Sequence, residues 1–140
     1  GGFRNRNNIN STRANAQNNR DDFLYMDGPE VFNFTLKEIP KCVDKLLIKS
    51  SLKIEDIDWF VFHQANRHIL EHLREKLKIN PERFFLAIKQ FGNTVSSTIP
   101  IALKEANLQK KFKENHRVML VGFGLGYSWG ANLLRWHQVY

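Results

Sequence analysis

The sequence predicts an α/β fold on a five-stranded, mostly parallel sheet with an antiparallel edge strand. Three observations point there. Strand-like and helix-like segments alternate along most of the chain. Two strand-like runs, 58–62 and 118–122, are almost continuously apolar, as strands covered on both faces are. The last two strand-like runs are separated only by a glycine turn, which makes them antiparallel neighbours.

The elements follow in order. Residues 1–20 hold seven Asn and four Arg with no acid. Such a stretch has little apolar surface to bury, so residues 1–22 are expected to form an arm or loop ahead of a domain at 23–140. Phe23 to Met26 is a short apolar run read as the first strand. It ends at Asp27-Gly28-Pro29-Glu30, where Asp27 can cap a helix with Glu30 at the N3 position. Val31, Phe34, Ile39, Val43, Leu46 and Leu47 then mark one helical face, and Pro40 is expected to kink or split that helix.

The run DWFVF at 58–62 reads as a second, buried strand, and Arg67 to Lys78 as a helix with Leu70, Leu73 and Leu77 inward. Phe84 to Ile88 reads as a third strand. A helix over about 96–109 follows, with Ile99, Ala102, Leu103 and Ala106 on its packing face and Pro100 in its first turn. Val118 to Gly122 is a fourth strand, and Ser128 to Trp136 a fifth, at the sheet edge. Three right-handed crossovers would join the parallel strands.

Composition narrows the function. The chain has 140 residues, 42% hydrophobic and 25% charged, which is one globular domain. Its single cysteine, Cys42, excludes an internal disulfide or a cysteine-rich metal site. No apolar run is long enough for a membrane helix. The net charge of +7 suits acidic partners. The basic residues are interleaved with acids, and neither zinc-finger spacing nor a recognition helix is present, so nucleic acid is not expected. The chain begins Gly1-Gly2-Phe3 without Met, which suggests a processed or truncated product.

Three polar features sit where the expected strands end: His63-Gln64-Ala65-Asn66, Gly92-Asn93-Thr94-Val95-Ser96-Ser97, and Gly122-Phe123-Gly124-Leu125-Gly126. Ligands of parallel α/β sheets gather at that edge, so one pocket can hold all three. His63 can exchange a proton near neutral pH or donate a hydrogen bond. Asn93 offers a neutral amide donor. Two such donors on one thioester oxygen would stabilise an enolate or oxyanion, and the glycine turn can expose backbone N–H groups to the same end. Plainer uses stay open: His63 capping the next helix, Asn93 suiting a turn, and glycines permitting close packing. His68 and His72 are four apart but lack a third ligand, so no metal site is expected. Cys42 reads as ordinary packing. Trp59, Trp129 and Trp136 read as core or interface residues.

HQAN at 63–66, GNTVSS at 92–97 and GFGLGYSWG at 122–130 resemble three signatures of the type III 3-oxoacyl-[acyl-carrier-protein] synthases, thiolase-like condensing enzymes. Met26 to Phe32 (MDGPEVF) also resembles the start of a helix in that family. The likeness covers about residues 23–136. It implies a thiolase-like half-domain, with helices on both sheet faces in the intact protein. The N-terminal half, which carries the nucleophilic Cys in that family, is absent from this chain, and Cys42 does not match that nucleophile.

By this resemblance His63 and Asn93 are the catalytic His and Asn. The backbone of Gly124, Leu125 and Gly126 contributes to the oxyanion hole, and Asn66 and Phe123 line the substrate site. The implied reaction joins an acyl group, taken from acyl-CoA by the Cys, to malonyl-carrier protein with loss of carbon dioxide. The substrates bring phosphopantetheine, and no cofactor is held permanently. The family also implies a cytoplasmic homodimer, with no membrane or nucleic-acid partner. Many members carry an Arg for carrier-protein docking two residues after HQAN. Here His68 stands there, beside Arg67, so the docking partner is less defined. A related acyltransferase with a different acceptor, or a non-catalytic partner subunit, remains an alternative. The isolated chain is expected to be inactive.

Overall fold

The computed structural model describes residues 27–124 and 126–138. The arm expected over 1–22 and the strand expected over 23–26 lie outside the described residues. Helix α1 spans Gly28–Ser50, strand β1 Trp59–Phe62, α2 Arg67–Lys76, α3 Ile88–Phe91, α4 Thr98–Leu108, β2 Arg117–Gly124 and β3 Ser128–Arg135. Among the described residues the sheet has three strands in the order β1-β2-β3. β1 pairs with β2 in parallel, from Trp59↔Val118 to Phe62↔Val121. β2 pairs with β3 antiparallel, which leaves β3 at the edge as expected.

Alternation along the strands separates two cores. Phe60, Phe62, Met119, Val121 and Phe123 point to one face, where they meet Ile39, Val43 and Leu47 of α1 and Leu70 and Leu73 of α2. Val61 and Val118 point to the other, against Ala102 and Ala106 of α4 and Phe112. Helices therefore cover both faces within this chain. β1 is almost fully excluded from water, with Phe60 1% exposed and Val61 and Phe62 at 0%, which is why it lacks polar alternation. No helix of the described residues is long and apolar enough to cross a membrane.

Three local expectations are corrected, and of the five strands expected the described residues form three. Pro40 neither splits α1 nor ends it: the helix continues to Ser50. Ile39 and Val43 are fully buried on either side of the proline, and this packing outweighs one lost helical hydrogen bond. Asp27 does cap the helix, its Oδ1 accepting the Glu30 N–H at 3.0 Å.

The strand expected over 84–88 is reduced to one parallel bridge, Phe60↔Phe84, with the Phe85 N–H on Phe60 O at 3.0 Å. Beyond it the buried Gln64 side chain replaces the ladder. Its Oε1 accepts the Ala87 and Ile88 N–H groups at 2.8 and 3.1 Å. Its Nε2 donates to Phe62 O at 2.7 Å and Phe85 O at 3.4 Å. With those amides satisfied, the chain turns into α3. A short apolar run does not by itself distinguish these outcomes. The helix expected over 96–109 is likewise shorter: a 3-10 turn takes Val95–Ser97 and α4 starts at Thr98.

Replacing Gln64 by Leu keeps the volume but strands the buried Ala87 amide and the part-buried Ile88 amide. It should destabilise the folded protein by on the order of 3 kcal/mol in urea unfolding. An unchanged midpoint and slope would show that the side chain does not hold this segment.

Candidate active site

β1 and β2 run parallel, so their carboxyl ends reach the same edge of the sheet. His63 follows β1 directly and extends the ladder, its N–H donating to Val121 O at 2.8 Å. Its half-buried ring meets the buried Phe123 ring edge to face, with centroids 5.3 Å apart. Its Nδ1 lies 2.6 Å from Thr98 Oγ1, in the first turn of α4. Burial holds the His63 imidazole below its ordinary pKa of 6.5.

Asn93 stands on the exposed loop between α3 and the 3-10 turn. Its Oδ1 accepts the Val95 N–H at 2.9 Å, an Asx turn that occupies the amide oxygen. The amide NH₂ group is left for other partners. The loop is strained: Val95 sits at φ 55°, a left-handed conformation that is costly for a β-branched side chain, and Gly92 at φ 66°. Val95 is 74% exposed, so its side chain gains little from burial there. Thr94 Oγ1 is buried without a hydrogen-bond partner.

The glycine turn is a hairpin. Gly124 pairs with Ser128 at the end of the ladder, and Gly126 adopts φ 121°, which only glycine accepts readily. Leu125 lies outside the described residues. Phe34 of α1 stacks on Tyr127 at 4.4 Å and meets Trp129 edge-on at 5.1 Å, which seats the hairpin tip on α1.

The remaining candidates take distinct places. Asn66, not His63, caps α2, its Oδ1 accepting the Ile69 N–H at 2.8 Å. Arg67 is exposed and paired with Glu71 at 2.6 Å. His68 stacks on Phe32 at 5.5 Å and meets His72 at 4.2 Å. Cys42 is half-buried on α1, and burial pushes its thiol pKa up, the reverse of an activated nucleophile. Thr98 and Gln64 were not singled out from the sequence. The available signal was positional. Thr98 is a polar residue on the Ala102–Ala106 stripe of a helix, and Gln64 closely follows an apolar strand.

Two outcomes are expected. Val95→Gly relieves the left-handed strain and should raise stability by about 1 kcal/mol in chemical unfolding; a loss would show that the strain is not there. His63 binds protons less readily folded than unfolded. Its contribution to stability is therefore complete above pH 6.5 and declines as pH falls below that value. His63→Phe should remove that part of the acid slope in unfolding titrations.

Comparison with known proteins gives the family and the fold. Residues 47–136 match the family described as 3-Oxoacyl-[acyl-carrier-protein (ACP)] synthase III C terminal. The chain is 40% identical over 128 residues to a beta-ketoacyl-[acyl-carrier-protein] synthase III of Clostridium tetani, covering 91% of this chain and 37% of the relative. It is 42% identical over 113 residues to the protein of that name from Prochlorococcus marinus subsp. pastoris, covering 81% and 34%. Among solved structures, 3-oxoacyl-(acyl carrier protein) synthase III of Pseudomonas aeruginosa superposes with a TM-score of 0.81 at 32% identity, over 86% of this chain and 38% of that one. The beta-ketoacyl synthase III of Thermus thermophilus gives 0.79 at 40% identity, over 83% and 36%. The chain thus spans little more than a third of the length of these relatives. Its mixed sheet with flanking helices is a thiolase-like α/β fold. On both sequence and structure the chain belongs to the 3-oxoacyl-[acyl-carrier-protein] synthase III family of thiolase-like condensing enzymes, as a C-terminal portion.

Proposed function

We propose that this chain forms the enolate-stabilising C-terminal part of an enzyme that condenses an acyl group with malonyl-carrier protein. The reading is supported by two neutral side chains, His63 at the carboxyl end of β1 and Asn93 on the loop ahead of α4, each with one side engaged by the fold. The Asn93 amide oxygen is occupied by Val95, so its NH₂ is the part left to offer. His63 is anchored through Nδ1, so Nε2 is the nitrogen left to offer. Two such donors stabilise an oxyanion without introducing a charge.

In the proposed reaction an acyl group passes from coenzyme A to a Cys thiolate supplied by the remainder of the protein. Malonyl-carrier protein then enters with its thioester oxygen between His63 and Asn93. The bond to the carboxylate breaks, carbon dioxide leaves, and the electron pair enters the enolate, whose oxygen the two donors stabilise. The enolate carbon attacks the acyl-Cys carbonyl, and expulsion of the Cys thiolate leaves a 3-oxoacyl-carrier protein. Backbone N–H groups of the 124–126 turn are proposed to face the second oxyanion. Asn66 and Phe123 are proposed to flank the phosphopantetheine arm, and Arg67 and His68, exposed on α2, to meet the acidic carrier protein. The enzyme would act as a cytoplasmic homodimer, with phosphopantetheine arriving on its substrates.

Measured in the full-length protein, His63→Ala and Asn93→Ala should each lower malonyl-carrier protein decarboxylation on the order of 10²-fold. Cys acylation by acyl-CoA should survive. Equal loss of both steps would indicate that the two residues shape the fold and do not act on the enolate.

A further inference from the structure

The two proposed donors differ in one respect. An amide NH₂ always donates, whereas a neutral imidazole carries one N–H, and the nitrogen without it can only accept. With Nδ1 against Thr98, Nε2 is the nitrogen left to meet a ligand. If the ring proton sat on Nδ1, a neutral His63 would present a lone pair and repel an enolate oxygen. The partner of Nδ1 therefore decides what the ring can do.

That partner is a single hydroxyl. Thr98 is 2% exposed, in the first turn of α4. Its Oγ1 has one hydrogen and two contacts: His63 Nδ1 at 2.6 Å and Val95 O at 3.1 Å. Val95 O already accepts the Thr98 backbone N–H, so it is not left unpaired when the hydroxyl turns to the ring. The ring contact is also the shorter of the two. Burial alone displaces the titration of His63, with no charged side chain of β2, α4 or α2 contributing. The imidazole is therefore neutral near pH 7, and no carboxylate sets its tautomer.

We propose that Thr98 is a positioning residue whose hydroxyl donates to His63 Nδ1 and so holds the ring proton on Nε2, where the substrate oxygen would lie. This rests on the reading of His63 as an enolate donor. Thr98 itself exchanges no proton with substrate; it selects which face of the ring is a donor.

The test uses the full-length protein. Thr98→Val removes the hydroxyl and Thr98→Ser restores it, with folding of both checked by thermal melting. Malonyl-carrier protein decarboxylation is followed as carbon dioxide release, and Cys acylation by mass, across the titration of His63. Thr98→Val should lose decarboxylation on the order of 10²-fold at neutral pH, keep acylation, and recover rate as pH falls, because imidazolium carries both N–H groups. Thr98→Ser should behave as wild type. A Thr98→Val variant as active as wild type would overturn the proposal. So would a loss with an unchanged pH profile, or a folded Thr98→Ser that fails to rescue. The ¹⁵N shifts of the His63 ring, assigned by their loss in His63→Gln, read the tautomer without any reaction. A proton on Nε2 is expected in wild type, and a proton on Nδ1 overturns the proposal. Decarboxylation absent from a wild-type protein with Nε2–H would sink the enolate reading while leaving the tautomer assignment standing.

Discussion

The parallel ladder between β1 and β2 runs one residue past the end of β1, through the His63 N–H on Val121 O at 2.8 Å. That bond places a histidine level with the end of β2, beside Phe123 and the glycine hairpin. It is available because both strands are buried, and a buried backbone amide must find a partner. The same burial excludes charged groups from around the ring, which keeps the imidazole neutral. Packing of apolar side chains on two sheet faces is thus what sets the chemistry of the polar group at their edge.

Two buried polar side chains then do work that backbone would do elsewhere. Gln64 caps both the end of β1 and the start of α3, so the segment after Phe85 turns instead of pairing. That turn leads through α3 into the loop that holds Gly92 and Asn93. Thr98 ties the first turn of α4 to the His63 ring. Between them, the 92–95 loop accepts a β-branched residue in a left-handed conformation, and the Asx turn on Asn93 needs the amide of that residue. Strain therefore falls on the segment that carries Asn93.

Much of this was legible beforehand. Asp27 as a cap, the apolar stripe of α2, the buried β1 and the β2–β3 hairpin follow from period and turn chemistry, which are local properties. His63 and the glycine turn follow the carboxyl ends of β1 and β2 as expected, whereas Asn93 follows the short helix α3 and not a strand. The failures are equally physical. Pro40 breaks isolated helices, but here Ile39 and Val43 anchor α1 on both sides of it. Phe84 to Ile88 has the composition of a strand, but Gln64, 23 and 24 positions before Ala87 and Ile88, takes their amides.

The sequence by itself determined the α/β class, the buried β1 followed by α2, the closing β2–β3 hairpin, and the residue types available for chemistry, since these rest on alternation, helical period and turn residues read within short windows. Only the tertiary structure decided how those residues are held. Whether His63 caps a helix or faces a ligand depends on Asn66 and Thr98, and the side of Asn93 that is free depends on the Val95 amide. A hydrogen bond is satisfied by whatever donor the folded chain brings within about 3 Å. Between His63 and Thr98 that proximity spans thirty-five positions, a separation that no local pattern encodes.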